Sequence, residues 1–247
     1  MCSINNIQNK PEEKGTKLRT FFTSDLHFSH TSILYFHPER LEQAGLTRAF
    51  LEENKAEATR IYDEWLIKLW NNTVNKRDSV YILGDFCLAN KENTEKILNM
   101  LNGRKYLIRG NHDKSCNGLE RYFEGVWDIK EAKFNNNQYK FIDPNETFCL
   151  EMCHFPLLSW NRKTHGAIHI HGHVHSNLDQ YNIESKELRV DVGLDSALGK
   201  KCGGLIPLEE LYKYFTDIRD NAGCKTFQEY QESLYKEKGY RDRKNGY

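Results

Sequence analysis

Three short apolar runs, LRTFFTSD (residues 18–25), SVYILGD (79–85) and KYLIRG (105–110), are separated by stretches with the 3.6-residue period of amphipathic helices. In the first gap Ala58, Ile61, Tyr62, Trp65, Leu66 and Leu69 recur at spacings of three and four, which predicts a helix from about Thr47, as N-cap, to Asn71. In the second, Asn90 is placed to cap a helix that runs to about Asn102 and stops at Gly103. Parallel neighbouring strands need a crossover, usually a helix, so this β-α-β-α-β order implies a mostly parallel sheet with helices packed on it.

The pattern then changes. Between residues 126 and 153 three strand-like runs are joined by the turn clusters NNNQ (135–138) and DPNE (143–146), which predicts antiparallel hairpins. AIHIHG and ELRVDVG read as two further strands, and PLEELYKYF (207–215) as a last helix. The chain divides into a polar N-terminal segment expected to be disordered (1–17), one domain (18–222) and a polar extension (223–247) with a helical stretch around Thr226–Tyr235.

Composition excludes several classes. At 247 residues, 38% apolar and 28% charged, the chain is neither disordered nor membrane-spanning in character. No apolar run approaches the ~20 residues of a membrane helix, and the N-terminus lacks the apolar core of a signal peptide. Lys and Arg balance Asp and Glu, so no global field draws the protein to nucleic acid or anionic lipid. Seven cysteines, an odd number with no C-x-x-C pair, read as free thiols in a reducing compartment, the cytoplasm.

Chemistry-bearing residues collect where strands end. Asp25 and His27 close the first run. Two residues apart on extended chain they are roughly 6.6 Å from each other and face one way. Asp85 closes the second run, and Asn111, His112 and Asp113 follow the third. His154 follows a fourth strand, and the segment HGAIHIHGHVHSN (165–177) holds five of the ten histidines. Open parallel sheets bind ligands at the carboxyl ends of their strands, so these groups share one rim. Oxygen and imidazole donors without thiolate favour Mn²⁺, Fe or Zn²⁺ in a reactive site over a structural zinc site. Taken singly, each group has a plain structural reading as a turn or a solvated face, and it is their joint placement that argues for a site.

In order and spacing, SDLHFSH, LGDF, RGNHD, CHFP and HGHVH resemble the five signature blocks of the calcineurin-like metallophosphoesterase superfamily, over about residues 19–215. Within it the wording is most similar to the small bacterial and phage-type phosphoesterases. The resemblance implies an α/β fold, a four-layer αββα sandwich of two mixed sheets flanked by helices. It also implies a dinuclear metal site at the strand ends. One divalent ion would take Asp25, His27 and His175, the other Asn111, His154 and His173, with Asp85 bridging. Mn²⁺ is the first expectation, with Fe, Zn²⁺ or Ni²⁺ as alternatives. The reaction implied is hydrolysis of a phosphomonoester or phosphodiester by a hydroxide held between the ions, with His112 as general acid and Asp113 orienting it. His173 and His175 complete the G-H-x-H block. His169 and His171 fall outside it and read as structural, and His165 as a loop residue.

The chain also departs from the superfamily's protein phosphatases. GDFCLAN lacks their phosphate-gripping arginine, which argues against a phosphoprotein substrate. Arg162 and Arg109 are candidate replacements, His30 and Asn161 are candidates to line the cleft, and Asp195 is a candidate to support a ligand. The expected partner is a small phosphate ester, with no membrane. A nuclease acting on nucleic-acid phosphodiesters is the alternative within the fold, although only the tail (Lys236, Lys238, Arg241, Arg243, Lys244) clusters positive charge. A non-catalytic metal-binding scaffold is the third reading, and the filled ligand positions speak against it.

Overall fold

The computed structural model describes residues 18–239. The segment expected to be disordered, 1–17, and the last part of the extension lie outside the described residues. β1 (Thr20–Thr23) is followed by four helices: α1 (Ile33–Phe36), α2 (Pro38–Gln43), α3 (Arg48–Glu53) and α4 (Lys55–Thr73). β2 (Ser79–Ile82), α5 (Lys91–Met100), β3 (Arg104–Ile108) and β4 (Phe123–Trp127) complete the first half. β1 to β4 pair in parallel and in order.

The second half holds β5 (Ile129–Phe134), β6 (Phe148–Cys153), β7 (Ile168–His171), α6 (Asp179–Ser185) and β8 (Arg189–Asp191). α7 (Ala197–Lys201), β9 (Ile206–Pro207), α8 (Leu208–Asn221) and α9 (Phe227–Glu237) follow. β9 adds antiparallel to β1, giving a five-stranded mixed sheet in the order β4-β3-β2-β1-β9. The other sheet, β5-β6-β7-β8, pairs β5 and β6 antiparallel and the rest parallel.

The strand period of two explains how two cores arise from one set of strands. On β1 Phe21 enters the core beneath α4 and α5, while Phe22 enters the core between the sheets. Ala58, Tyr62, Leu66 and Trp70, four residues apart on α4, pack with Val80, Ile82 and Leu107 of the first sheet. Facing Phe22 are Phe148, Leu150 and Met152 of β6 with Ile168 and Ile170 of β7. The intervening His169 and His171 are thereby turned to the outer face of the second sheet, where α6 and the loop around Trp160 cover it.

Three expectations are corrected. Thr47 is a cap, accepting from Phe50 N, but of α3; the chain leaves helical geometry at Asn54 (φ −135°) before α4 begins. Only one of the expected hairpins forms, β5–β6, because the run between the two turn clusters, 139–142, is turn rather than strand and both clusters fall in the single connection from Phe134 to Phe148. The stretch after Ala222 is packed rather than appended: Thr226 caps α9, which buries Phe227, Tyr230 and Leu234 in the core between the sheets.

Candidate metal centre

The loops that leave β1 and β2 are stitched to each other beyond the last strand residues. Asp25 N donates to Gly84 O at 3.0 Å, His27 N to Asp85 O at 3.0 Å and Phe28 N to Phe86 O at 2.9 Å. The second sheet joins at the same end, where Gly172 N donates to His154 O at 3.0 Å and Leu194 N to Ser24 O at 3.2 Å. Close approach requires glycine here. A Cβ on Gly172 would collide with Ser24 Oγ and Asp25 Oδ2, and Gly84 holds φ at 89° with its missing Cβ 2.5 Å from His154 Nδ1.

Asp25, His27, Asp85, His173 and His175 are themselves left-handed, with φ of 57°, 51°, 51°, 71° and 47°. They are five of nine such non-glycine residues among those described, and Ser29 and Ser176 adjoin them. Each conformation of this kind costs about 1–3 kcal/mol and persists where the surroundings over-determine it, which is the mark of a site built for geometry.

The side chains converge. His27 Nε2 lies 3.3 Å from His175 Nε2, and His175 Nε2 lies 3.8 Å from Asp25 Oδ1. His154 Nε2 is 3.1 Å from Asn111 Oδ1. Asp85 Oδ2 sits between the two groups, 3.7 Å from His27 Nε2 and 3.5 Å from His154 Nε2. The ring of His173 packs at 5.1 Å from that of His154. Among the described residues, donor atoms within 4.8 Å of one another define three groups: Asp25–His27–His175, Asp85–His154–His173, and His37–His175–Asp195, which shares His175 with the first.

The far nitrogens test whether these groups fit metal ions. His27 Nδ1 faces His30 Nδ1 at 3.1 Å, His154 Nδ1 faces Leu83 O at 2.7 Å and His175 Nδ1 faces Asp195 Oδ2 at 2.7 Å. A partner at Nδ1 fixes ring orientation and leaves Nε2 as the ligand atom. Three imidazoles oriented this way, with two carboxylates and an amide oxygen, fit divalent cations.

Electrostatics agree at His27 and Asp85, whereas at His154 and His175 neighbouring carboxylates outweigh burial and raise the pKa. Burial, reinforced by Arg40, drives the His27 pKa down to about 2, keeping the ring neutral. Burial opposes charge on Asp85 as well, but His154, the His112 N–H and His27 outweigh it and hold the carboxyl at about 2.

His112 projects into a cavity of about 470 Å³ beside these clusters, with its ring 5.8 Å from that of His27. Its backbone N–H donates to Asp85 Oδ1 at 2.9 Å, and no side-chain hydrogen bond restrains its ring among the described residues. The expected orientation of His112 by Asp113 is therefore corrected. The Asp113 carboxylate accepts from the backbone N–H groups of Asp85, Phe86 and Gly110 at 3.0, 2.8 and 2.7 Å. It is buried, so these three donors set its place, and it braces the loop carrying Asp85 instead.

Neither candidate arginine enters the cleft. Arg109 is held by Asn117 and Glu120, and Arg162 is in the loop where Asn161 donates to Glu131 at 2.9 Å, so Asn161 does not line the cleft either. His30 does. His165 ends a 3₁₀ turn, and both nitrogens of His169 are taken by backbone, Nδ1 facing Glu151 O and Nε2 accepting from Leu157 N. His171 is turned to the outer face with it, Nδ1 facing Gly172 O and Nε2 near Asn182 Nδ2. Asp195 supports His175 and is in turn gripped by Arg40, at 2.8 Å from Nε and 2.6 Å from NH2. Arg40 and His37, whose ring stacks on His175 at 4.7 Å, carry no motif and were invisible in the sequence.

Paired histidine–carboxylate groups at the strand ends of a two-sheet α/β fold could hold metal ions, the arrangement expected of a metal-binding hydrolase. Comparison with known proteins agrees: a family model described as calcineurin-like phosphoesterase matches residues 18–200, and the chain belongs to that family. An uncharacterised protein of Methanocaldococcus jannaschii is 32% identical over 180 residues, 70% of this chain and 81% of its own. The gene 66 protein of Mycobacterium phage L5 is 26% identical over 229 residues, 84% of this chain and 99% of its own. A protein of unknown function from Aquifex aeolicus shares the fold, with a TM-score of 0.54 and 21% identity, covering 80% of this chain and 99% of its own.

Proposed function

We propose that the protein hydrolyses a small phosphate ester at two divalent cations. Asp25, His27 and His175 would hold one, Asn111, His154 and His173 the other, and Asp85 would hold both. The position of Asp85 Oδ2 between His27 Nε2 and His154 Nε2 carries this reading. Bound there, the ions supply Lewis acidity toward the phosphoryl oxygens and toward water.

The chain's own residues do the rest. His112, its ring unrestrained and in the cleft, holds a proton at a ring nitrogen and delivers it to the departing oxygen. His30 and Asp195 orient His27 and His175. Asp113, through three backbone N–H groups, keeps the Asp85 loop rigid. Mn²⁺ is the proposed native ion, with Fe, Zn²⁺ or Ni²⁺ as alternatives, from a donor set that mixes imidazole nitrogens with carboxylate and amide oxygens and holds no thiolate. The cysteines Cys87, Cys116, Cys149, Cys153, Cys202 and Cys224 are free thiols, which supports the cytoplasm as the compartment. No helix among the described residues is long and apolar enough to cross a membrane.

The test combines elemental analysis with turnover. Two ions per chain, loss of phosphoesterase activity in EDTA and its return with Mn²⁺ are expected. His173→Ala and His175→Ala should each lose an ion while His171→Ala keeps both. Full turnover after dialysis against chelator, or an ion lost from His171→Ala alone, overturns the assignment.

A further inference from the structure

The cavity beside the two clusters has apolar side chains in its lining that the hydrolytic chemistry does not use. Ile33 and Phe36 of α1 line it together with Val174, between the ligand histidines His173 and His175, and Leu178, just after them. Phe36 is 70% exposed, among the largest exposures of any big apolar side chain described. An aromatic ring left in solvent at the lip of a cleft, with nothing packed on its outer face, invites a ligand group. The rest of the lining is imidazole, from His30, His37 and His112 and from the ligand histidines His27, His173 and His175, with Asn177. No lysine, arginine or carboxylate lines the cavity.

We infer that this cavity is the subsite for an uncharged aromatic group of the substrate, which stacks on Phe36 while the phosphoryl group sits at the two clusters. The inference rests on the phosphoesterase reading and narrows it to aryl- or nucleoside-type phosphate esters. The cavity of about 470 Å³, which also takes in the space before His27, His173 and His175, accommodates a phosphoryl group together with a group of nucleoside size. A polynucleotide needs Lys and Arg along its backbone path, and the cavity offers none. A sugar phosphate would leave its hydroxyls against Ile33, Phe36, Val174 and Leu178, where no polar partner is present. An aromatic ring gains from both kinds of lining. It is desolvated by the apolar side chains and meets imidazole faces and edges.

Phosphonates test this without turnover, because their P–C bond is not hydrolysed. Calorimetric titration of the Mn²⁺-loaded protein with phenylphosphonate and methylphosphonate isolates the contribution of the ring. Stacking of an aromatic group on an aromatic side chain implies that phenylphosphonate binds about tenfold tighter or better. Phe36→Ala should erase that preference and leave methylphosphonate affinity unchanged. Phe36 is exposed and can be truncated without disturbing either core, and Leu178→Ala should weaken the preference as well.

Equal affinity for the two phosphonates, or a preference that survives both substitutions, overturns the inference while leaving the phosphoesterase reading intact, provided that esters are still hydrolysed. Failure of both phosphonates to bind, with no ester hydrolysed, overturns the phosphoesterase reading and the inference together.

Discussion

Arg40 is the residue whose replacement tests most sharply how the centre is held. It is 1% exposed and its guanidinium donates to both oxygens of Asp195, to Asp25 O at 2.8 Å, to Leu26 O at 3.3 Å and to Tyr62 Oη at 2.6 Å. Arg40→Met keeps an unbranched apolar stem and removes every one of these donors. Leu26 O retains the Tyr62 hydroxyl, but Asp25 O is orphaned and the buried Asp195 carboxylate loses its counter-charge. Breaking a buried ion pair by removing one partner costs about 3–5 kcal/mol. At about 2–4 °C per kcal/mol for a domain of this size, the melting temperature should fall by roughly 10 °C.

The pH dependence of that loss has a definite sign. Burial works against the Asp195 carboxylate, yet the hydrogen bond from His175 and the contact with Arg40 outweigh it and hold the carboxyl below its ordinary range. A depressed folded-state pKa gives stability above the unfolded value that is lost as pH falls toward the folded one. The difference between wild type and Arg40→Met should therefore be full at neutral pH and shrink below about pH 4. Urea denaturation of wild type, Arg40→Met, Asp195→Asn and the double variant forms the assay. The two single effects should fail to add, because the first substitution already breaks the pair. Metal titration should show one of the two ions bound about 10–100-fold more weakly in Asp195→Asn, since Asp195 orients only His175. Additivity within about 0.5 kcal/mol would refute the reasoning, because it would mean the two residues do not act as a pair.

Four further outcomes are expected. His112→Ala should cost about 10²–10⁴-fold in kcat/KM for an alkyl ester and far less for a p-nitrophenyl ester, with metal content unchanged; an equal loss for both would remove it as the proton donor. Gly172→Ala, whose methyl would strike Ser24 and Asp25, should destabilise by about 1–3 kcal/mol or more and lose the ion at Asp25. Gly203→Ala, at φ 67° but in open space, should cost about 1–2 kcal/mol and keep both ions, as elemental analysis would show. Burial raises the Asp63 pKa to about 6 against the opposing hydrogen bonds from Ser29, so its ionisation opposes folding. Stability should fall as pH rises from about 4 through about 6, by roughly 2–3 kcal/mol, and Asp63→Asn should abolish that step in a pH series of urea midpoints.

Much of the centre was legible because its ligands end strands, and strand ends are where a period-2 apolar run meets a polar residue. Asp25, Asp85, Asn111 and His154 are each found by that rule, and the parallel order of the first three strands then brings them to one rim. The histidine run shows what the rule does not reach. His169, His171, His173 and His175 alternate evenly in sequence, as if they shared one face. The strand ends at His171, and positive φ at His173 and His175 turns those two over the strand ends, leaving His169 and His171 buried on the outer face. The alternation is a property of the sequence, whereas the backbone turn is imposed by Asp25, whose carboxylate accepts from His173 N from 148 residues away. Asp113 was misread for the same reason: adjacency to His112 suggested a pair, but two of its three donors are backbone groups of a different loop and the third is Gly110 N of its own. Arg40 gave no signal at all, since a single charged residue in a helix of six looks like surface until Asp195 arrives from 155 positions along the chain. Local pattern determined which residues end strands and could therefore meet at a rim. Only the packing of one sheet on the other decided which nitrogen of each histidine faces the centre and what holds its opposite side, because those partners are distant in sequence and near only in space.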